Sequence, residues 1–523
     1  MDEKTGKFPH SMAEAGAKLE KGKLVLGNDS VLVATQTKDA VKKGDATYVP
    51  HTPTMPEDIP DTWLTYHLAH PGPDKAIPAD PNCAIFYKGR YHLHYIYSKG
   101  GPCFAHVSST DMVHWTWHPT TLAHRTTGHG MFSCTAFLTK EGKPAIIYHG
   151  YRSGRNQIAL ALDDTLDKWS ETVSVEPKTA DGKAARVTNG DPDCWLMGDT
   201  YYALDGGNNP TLAKSKDLKN WEFLGELFHP DFPKDLGVAK GEDTSCANMF
   251  EIGDPATGLG TGKWMLLCIS HGLGARYYLG DFKDEKFLPT HHALLNWARW
   301  DCFAPESLLT PDGRRVMWAW CTPFVSEYSK VGRKKNFDAL LKGKLQPGIQ
   351  SLPRELSLPK DGVLRIKPLR ELEQLRADKK QEKRIQVKSD TTYTLKEIAG
   401  DTMELEIVFD EPSASEFGVK VLCGEDGSGG FTISSGNASK ILKVGYINPP
   451  FELKKGEDLT LRIFIDKSMI EVFANDRQAA VAWHEYNPKD LHVSLFSKGG
   501  DLKVKAVTSW KMNSIYTKAA AEQ

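Results

Sequence analysis

Short apolar runs separated by turn residues dominate the chain from about residue 61 to residue 350. Examples of these runs are 145–148, 157–162, 200–204, 263–268 and 315–320. Few stretches show the period of an amphipathic helix, and regularly spaced short strands are typical of an all-β fold. The pattern therefore predicts that this part of the chain is built from small β-sheets.

A weak internal repeat groups these strands into units. Residues 106–115 contain a strand that ends in Ser-x-Asp and is followed four residues after the aspartate by a tryptophan; residues 212–221 repeat this pattern, and residues 160–169 repeat it more faintly. A recurring strand-and-turn unit is the signature of a propeller blade. We therefore expect a β-propeller over residues 61–355.

Three other regions complete the predicted organisation. Residues 1–60 form an N-terminal extension in which 23–26 and 30–34 resemble two short strands. A Leu/Glu/Arg-rich stretch indicates a helical linker over 356–380. Apolar and polar residues alternate again further on, which predicts antiparallel strands with one buried face and hence a β-sandwich over 381–515.

Composition narrows the function classes. The 523 residues carry a formal net charge of -2, which gives no reason to expect a nucleic-acid partner. No stretch approaches the ~20 apolar residues of a membrane span. The first residues lack the apolar core of a signal peptide, so we expect a cytoplasmic protein, or a secreted or periplasmic one if a signal was removed. The sequence leaves the oligomeric state open.

The cysteines and the known cofactor motifs point to no prosthetic group. Nine cysteines are scattered without metal-like spacing, which favours buried free thiols over a disulfide framework. The chain has no P-loop, no dinucleotide fingerprint and no cluster with metal-ligand spacing. The sequence therefore predicts neither a cofactor nor a metal.

Acidic residues stand at the heads of several predicted strands. Asp80 precedes Pro-Asn and an apolar strand, Asp191 precedes a proline, and Glu242 and Asp243 lie just before another strand. The first strand of each propeller blade lines the central channel, so these carboxylates are expected to converge. Glycoside cleavage requires such a set, with one nucleophile or water activator and one proton donor. An Asp-Pro-Asn turn without chemistry is the alternative reading of Asp80.

The order of these motifs resembles glycoside hydrolase family 32, which contains invertases, inulinases, levanases and fructotransferases. The resemblance covers roughly residues 62–512. It is carried by eight segments in the family's order: 80–82, 91–95, 106–115, 132–134, 191–192, 313–320, 352–356 and 466–473. The family implies a five-bladed β-propeller followed by a C-terminal β-sandwich.

The resemblance also implies roles for individual residues. Asp80 would be the nucleophile, and Asp191 would bind sugar hydroxyls and stabilise the transition state. Glu242, the glutamate nearest to the acid/base position of the family, is the expected acid/base, with the shorter Asp243 as its substitute. Further substrate contacts would come from Asn82, Phe132, Ser133, Asp243 and Trp320. The implied activity is that of a retaining glycoside hydrolase or fructotransferase acting on β-fructans or related fructofuranosides, with an oligo- or polysaccharide as substrate.

The chain departs from the family pattern at four positions. The family's acid/base glutamate directly precedes a cysteine, where this chain has Ser245. Ala79, Ile96 and Gly190 stand where the family has Asn, Gln and Arg. A lost hydrogen bond to a charged group costs about 1.5–3 kcal/mol, so an unmodified fructose pocket would bind poorly. Candidates to replace these contacts are His149, Arg152, Arg155 and Arg186.

These departures favour the levan fructotransferase branch over invertase and leave two alternatives open. The first is a non-catalytic carbohydrate-binding protein that lost its acid when serine replaced glutamate. The second is a propeller glycosidase of the related clan that acts on another furanoside or on a pentoside.

Overall fold

A computed structural model describes residues 47–72, 76–98, 101–254, 257–258, 260–298, 300–322, 343–346 and 348–516, together with three strands near the N-terminus. These strands, Lys18–Glu20, Lys23–Leu26 and Ser30–Leu32, pair as one antiparallel sheet. The two short strands expected in this region are present, and the turn between them lies outside the described residues.

Five small sheets follow, and each is one propeller blade. The strands run antiparallel, except that Pro177–Lys178 pairs in parallel with the outer strand of the third blade. The first blade contains Pro81–Tyr87, Arg90–Ser98, Pro102–Ser109 and Thr116–His118; the second Gly130–Leu138, Pro144–Tyr151, Arg155–Leu160 and Val173–Ser174; the third Pro192–Met197, Thr200–Asp205, Thr211–Ser215 and Trp221–Glu226; the fourth Ser245–Gly253, Gly260–Ser270, Gly274–Lys283 and Lys286–Leu294; the fifth Phe303–Leu309, Arg315–Cys321, Arg354–Ser357 and Arg365–Pro368, with Ile349–Gln350 beside Arg315–Cys321. One short helix, His124–Thr127, precedes the second blade.

The inner strands close into a ring. The first strand of each blade contacts the first strand of the next, and Phe303–Leu309 of the fifth blade contacts Pro81–Tyr87 of the first. The chain segments that enter these strands therefore meet at one end of a central channel. This arrangement confirms the predicted five-bladed propeller.

Irregular pairing at the start of the inner strands shapes the channel mouth. The register of the inner strand shifts between Asn82 and Ile85, Phe132 and Cys134, Ser245 and Asn248, and Phe303 and Glu306. A bulge of this kind bends the strand and redirects the neighbouring side chains. Four of the five blades thus change the direction of their side chains next to the channel mouth.

The repeated sequence unit forms the same turn in two blades. Asp111 Oδ1 accepts hydrogen bonds from the backbone N–H groups of Val113 and His114, and Asp217 Oδ1 accepts from those of Lys219 and Asn220. Each turn connects the third and fourth strands of its blade. The repeat therefore reports a structural turn that recurs with the blades.

A β-sandwich follows the propeller, as predicted. Its six-stranded sheet has the order Arg376–Val387, Leu502–Met512, Thr402–Phe409, Leu459–Asp466, Met469–Ala474 and Gln478–Trp483; its five-stranded sheet has the order Thr391–Ala399, His492–Lys498, Glu416–Cys423, Phe431–Ser435 and Lys443–Val444. The segment 356–380, expected to be a helical linker, contains the strand Arg365–Pro368, a 3-10 helix at Arg370–Leu375 and the start of Arg376–Val387. The other domain boundaries stay predictions.

Two strands of the sandwich are buried on both faces. Every residue of Met469–Ala474 and Gln478–Trp483 is buried. Phe473 and Val481 belong to a core shared with the propeller, whereas Val472 lies in the core between the two sheets. The expectation of one buried face fails for these strands because the propeller covers the outer face of the sheet.

A disulfide between Cys83 and Cys134 joins the first two blades at their inner strands. The expectation of free thiols was therefore wrong for this pair, because residues separated by 51 positions come together only through the ring of blades. The other seven cysteines are not part of this disulfide, and all but Cys246 are buried.

Candidate functional site

A funnel of about 420 Å³ opens at the end of the channel where the inner strands begin. Five of the predicted site residues line it: Asp80, Phe132, Ser133, Asp191 and Trp320. Other lining residues include His149, Ser245, Cys246, His271 and Trp300. Asn82, Glu242 and Asp243 are not part of the lining.

Asp80 stands at the head of the first blade with its carboxyl group in the funnel. Its backbone oxygen accepts a hydrogen bond from the N–H of Ile96 at 3.1 Å, which fixes the segment before the strand. Its Oδ1 is buried and has no hydrogen-bond partner in the described part of the chain. Burial and, to a lesser extent, the charge of Asp191 raise the pKa of Asp80 to about 7, while His271 opposes the shift.

Asn82 supports Asp80 from behind. Its side chain is only 2% exposed, donates through Nδ2 to the backbone oxygen of Asp80 at 2.5 Å, and accepts through Oδ1 from the N–H of Cys134 at 2.7 Å. With both ends of its amide occupied, Asn82 links the first two blades beneath the nucleophile candidate. In the structure Asn82 therefore positions the backbone of Asp80, and its expected sugar contact stays a prediction.

Asp191 faces the same funnel from the head of the third blade. Its Oδ2 accepts a hydrogen bond from the backbone N–H of Cys246 at 3.0 Å and lies 3.7 Å from the sulfur of that residue. The Cys246 sulfur lies 3.4 Å from the Ser133 hydroxyl. Blades two, three and four therefore meet around the Asp191 carboxylate.

Glu242 lies beside the funnel and not in its lining. Its Oε1 accepts a short hydrogen bond from the Ser270 hydroxyl. The groups within electrostatic range of its carboxylate include Arg276, Tyr278 and His292. The described charges that act on Asp80, by contrast, come from Asp191 and His271.

Asp243 holds the imidazole of His271. Asp243 Oδ2 accepts from Nδ1 of His271 at 2.6 Å and from the backbone N–H of the same residue at 3.0 Å. Its Oδ1 accepts from the Ser245 hydroxyl at 2.6 Å, and its backbone oxygen accepts from Arg276. Burial alone would raise the pKa of Asp243, but the hydrogen bonds from His271 and Ser245 hold it below its usual range.

Sequence reasoning missed His271. The residue lies at the turn between the second and third strands of the fourth blade, and its side chain is 53% exposed. It stands 28 positions from Asp243, so neither spacing nor a motif connects the two residues. The available signal was a histidine followed by Gly-Leu-Gly at the end of a predicted strand, which is also an ordinary surface turn.

Aromatic rings form the rim of the funnel. Trp300 stacks on Phe303 with ring centroids 4.3 Å apart, and both rings lie edge-on to His271 at 6.3 and 6.1 Å. Phe132 contacts Tyr151 edge-to-face on the opposite side. Aromatic faces flanking a polar floor suit the apolar faces of a sugar ring.

One cluster in the described part of the chain has metal-like spacing, away from the funnel. Asp167 accepts hydrogen bonds from Nδ1 of His106 at 3.0 Å and Nδ1 of His118 at 3.1 Å. His106 Nε2 and His118 Nε2 are also engaged, with His92 and the Ser108 hydroxyl. The hydrogen bonds account for the cluster as a structural network.

No helix within the described ranges is long and apolar enough to cross a membrane.

The propeller and the sandwich each match a protein-family model. Residues 70–368 match the model described as "Glycosyl hydrolases family 32 N-terminal domain", and residues 371–511 match "Glycosyl hydrolases family 32 C terminal". The two matches abut at the junction between propeller and sandwich.

Curated relatives are distant but match over most of the chain. A levanase from Bacillus sp. (strain L7) is 25% identical over 87% of the chain, which spans about half (53%) of that protein. A levanase from Bacillus subtilis is 26% identical over 84% of the chain and 69% of the relative. A sucrose-6-phosphate hydrolase from Escherichia coli is 25% identical over 86% of the chain and 94% of the relative.

Solved structures share the fold. Fructan 1-exohydrolase IIa from Cichorium intybus superposes with a TM-score of 0.70 at 18% identity, over 87% of this chain and 98% of that one. A sucrose-6-phosphate hydrolase from Lactobacillus gasseri gives a TM-score of 0.66 at 21% identity, over 87% and 93%. Because the two family models together cover the propeller and the sandwich, the chain belongs to glycosyl hydrolase family 32.

Proposed function

We propose that the protein is a retaining glycoside hydrolase or fructotransferase that acts on β-fructans or related fructofuranosides, with Asp80 as its nucleophile. The observation that carries the proposal is the pair Asp80 and Asp191 at the floor of one funnel, with Oδ1 of Asp80 free of hydrogen bonds in the described structure. The names of the relatives, levanase and sucrose-6-phosphate hydrolase, support the substrate class.

Asp80 suits nucleophilic attack because its surroundings hold its backbone and leave its carboxylate available. The chain is fixed by the bonds of Asn82 and Ile96 to the backbone oxygen of Asp80. The reacting carboxylate therefore does not have to break a protein hydrogen bond to approach the anomeric carbon. A carboxylate nucleophile forms a covalent glycosyl-enzyme intermediate, which water or a second sugar then releases.

Asp191 suits a supporting role. The N–H of Cys246 occupies one of its oxygens, which leaves the other for a sugar hydroxyl. Its negative charge next to the anomeric centre stabilises an oxocarbenium-like transition state. Asp191 therefore acts on the substrate without forming a bond to carbon.

The identity of the sugar is the less constrained part of the proposal. Ala79, Ile96 and Gly190 offer no polar side chain where the family reads fructose, and Ala79 and Ile96 are buried. Of the candidates to replace these contacts, His149 lines the funnel, and Arg152, Arg155 and Arg186 do not. His149 is thus the candidate to supply a polar contact for a modified furanoside.

A second candidate function is carbohydrate binding without turnover. It is favoured by Ser245 at the acid/base position of the family and by the hydrogen bond between Glu242 and Ser270. The assignment of Glu242 as acid/base, with Asp243 as substitute, stays a prediction from the sequence.

Product analysis separates these functions. The wild-type chain is incubated with levan, inulin, sucrose, sucrose 6-phosphate and mixed furanosides, and released sugars are identified by chromatography. We expect fructose or a transfer product, and we expect Asp80→Asn to abolish it while the exposed Asp164→Asn retains it. Undiminished turnover in Asp80→Asn would refute the nucleophile. Binding heat in calorimetry with no product from the wild type would favour the binding protein.

A further inference from the structure

We infer that His271, oriented by Asp243, is the group that protonates the leaving oxygen and later activates water. The inference rests on the proposed function, because it names the proton donor for that reaction. It assigns the acid/base role to a residue of the fourth blade that lies outside the glutamate position of the family.

The contacts of His271 are those of an oriented imidazole. Nδ1 and the backbone N–H of His271 both donate to one oxygen of Asp243, which fixes the ring and its tautomer. Nε2 has no hydrogen-bond partner in the described structure and belongs to a side chain that lines the funnel. A carboxylate on one ring nitrogen and a free opposite nitrogen are the arrangement of a general acid/base histidine.

Ser245 connects this arrangement to the departure from the family. Its hydroxyl donates to the second oxygen of Asp243, and its position is the one at which the family carries glutamate. The residue that replaced the acid thus orients the carboxylate that holds the imidazole. The loss of glutamate and the presence of the Asp243–His271 pair are two parts of one local arrangement.

His271 shares the funnel with both carboxylates, Asp80 and Asp191. Asp80 and Asp191 both act electrostatically on its imidazole, and it acts in return on Asp80. Glu242 is tied to Ser270 and does not line the funnel. Of the three candidate acids, Glu242, Asp243 and His271, only His271 lines the funnel together with the nucleophile.

The charges around the funnel favour the protonated form of the imidazole. The hydrogen bond to Asp243 raises the pKa of His271 above its usual range against the effect of burial, and the charges of Asp191 and Asp80 add to the rise. The remaining titratable groups that line the funnel are His149 on the second blade and Cys246 on the fourth. Burial raises the pKa of the Cys246 thiol, which stays neutral.

Bonds and protons balance over the two steps of the proposed reaction. In the first, Asp80 attacks the anomeric carbon, the bond to the leaving oxygen breaks, and Nε2–H of His271 gives its proton to that oxygen. In the second, neutral Nε2 takes a proton from water or a sugar hydroxyl as that oxygen attacks the anomeric carbon and releases Asp80. The histidine ends protonated, as it began.

The test compares substrates that need a proton donor with one that does not. We compare three variants: His271→Asn, Asp243→Asn and Glu242→Gln. Each is assayed on the natural substrate that the wild type turns over fastest in the panel above, and on a nitrophenyl β-fructofuranoside, whose leaving group needs no protonation. The matched control is His114→Asn, since His114 Nδ1 also bonds a carboxylate, that of Asp111 at 2.8 Å, on an exposed turn. Circular dichroism checks the fold of each variant.

We expect His271→Asn to lower kcat on the natural substrate by roughly 10²–10⁴-fold and on the nitrophenyl substrate by less than about tenfold, with no such selectivity in the control. Asp243→Asn should move the alkaline limb of kcat/KM to lower pH, a shift that a merely structural role would not produce. Equal losses on both substrates, or selective loss in Glu242→Gln, would overturn the inference while leaving Asp80 as nucleophile. A wild type that turns over no furanoside would overturn the proposed function and the inference with it.

Discussion

Nη2 of Arg354 lies 2.7 Å from Oε2 of Glu471, and neither side chain is exposed to solvent. The pair joins the fifth blade to the sandwich. The other oxygen of Glu471 accepts from the backbone N–H of Leu352 at 2.7 Å. The junction between the domains is therefore organised by buried charge as well as by apolar packing.

Removal of one partner of this pair is expected to destabilise the protein strongly. Glu471→Gln leaves the Arg354 guanidinium buried without its counter-charge, which typically costs about 3–5 kcal/mol. The matched control is Lys388→Met, because its partner Asp501 is exposed and a surface pair contributes at most about 1 kcal/mol. Urea unfolding followed by fluorescence measures the free energy of unfolding of both variants. A loss for Glu471→Gln no larger than that of the control would contradict the role of the pair.

Stability is expected to fall in alkaline solution because of His67. Burial alone would lower the pKa of His67, but its hydrogen bonds to Asp466 and Glu471 outweigh burial and raise it to about 9 from 6.5. A group with a raised folded-state pKa stabilises fully below its unfolded pKa and loses that contribution as pH rises through the folded value. Unfolding midpoints should therefore decline between about pH 6.5 and pH 9. His67→Gln should flatten this decline; an unchanged slope would exclude His67 as its source.

At acidic pH, kcat/KM is expected to fall because Asp80 becomes protonated. With a pKa of about 7, the carboxyl group is protonated at lower pH and cannot attack carbon, so kcat/KM should fall below about pH 7. Asp191 raises this pKa through its charge, so Asp191→Asn should move this fall to lower pH while it lowers the maximum. If the acidic fall in kcat/KM occurs at the same pH in the residual activity of Asp191→Asn, the electrostatic coupling between Asp191 and Asp80 is contradicted.

The disulfide is expected to stabilise the propeller by about 2–4 kcal/mol through the loop it closes. Cys83→Ser combined with Cys134→Ser should lower the free energy of unfolding by this amount. Thiol titration in denaturant should find seven reactive groups in the wild type before reduction and nine after it. Nine before reduction would show that the two sulfurs are not bonded.

The sequence predicted the architecture well because strand spacing and a repeated turn are local features. The Ser-x-Asp turns of Asp111 and Asp217 follow from neighbours a few residues away. The nucleophile candidate was also found locally, since Asp80 sits at the head of a strand whose position in the ring follows from the blade order.

Features that join distant segments were not predictable in this way. The Cys83–Cys134 bond depends on the contact between two blades, and the hydrogen bond between Asp243 and His271 depends on the pairing register of the first two strands of the fourth blade. Glu242 was favoured because it is the nearest glutamate in sequence, yet its carboxylate bonds Ser270 beside the funnel. The burial of Met469–Ala474 on both faces required knowledge of the neighbouring domain.

Gly190 makes the altered sugar pocket difficult to reverse. A Cβ atom at Gly190 would lie 2.5 Å from the backbone oxygen of Gly206, and one at Gly206 would lie 2.5 Å from that of Thr244. The backbones of blades three and four have closed into the space that any side chain at these positions would need. An arginine side chain at position 190 would therefore clash with the main chain before it could reach a sugar. Engineering of specificity in this protein is therefore expected to succeed more readily at the aromatic rim than at Gly190, where the main chain leaves no room for a side chain.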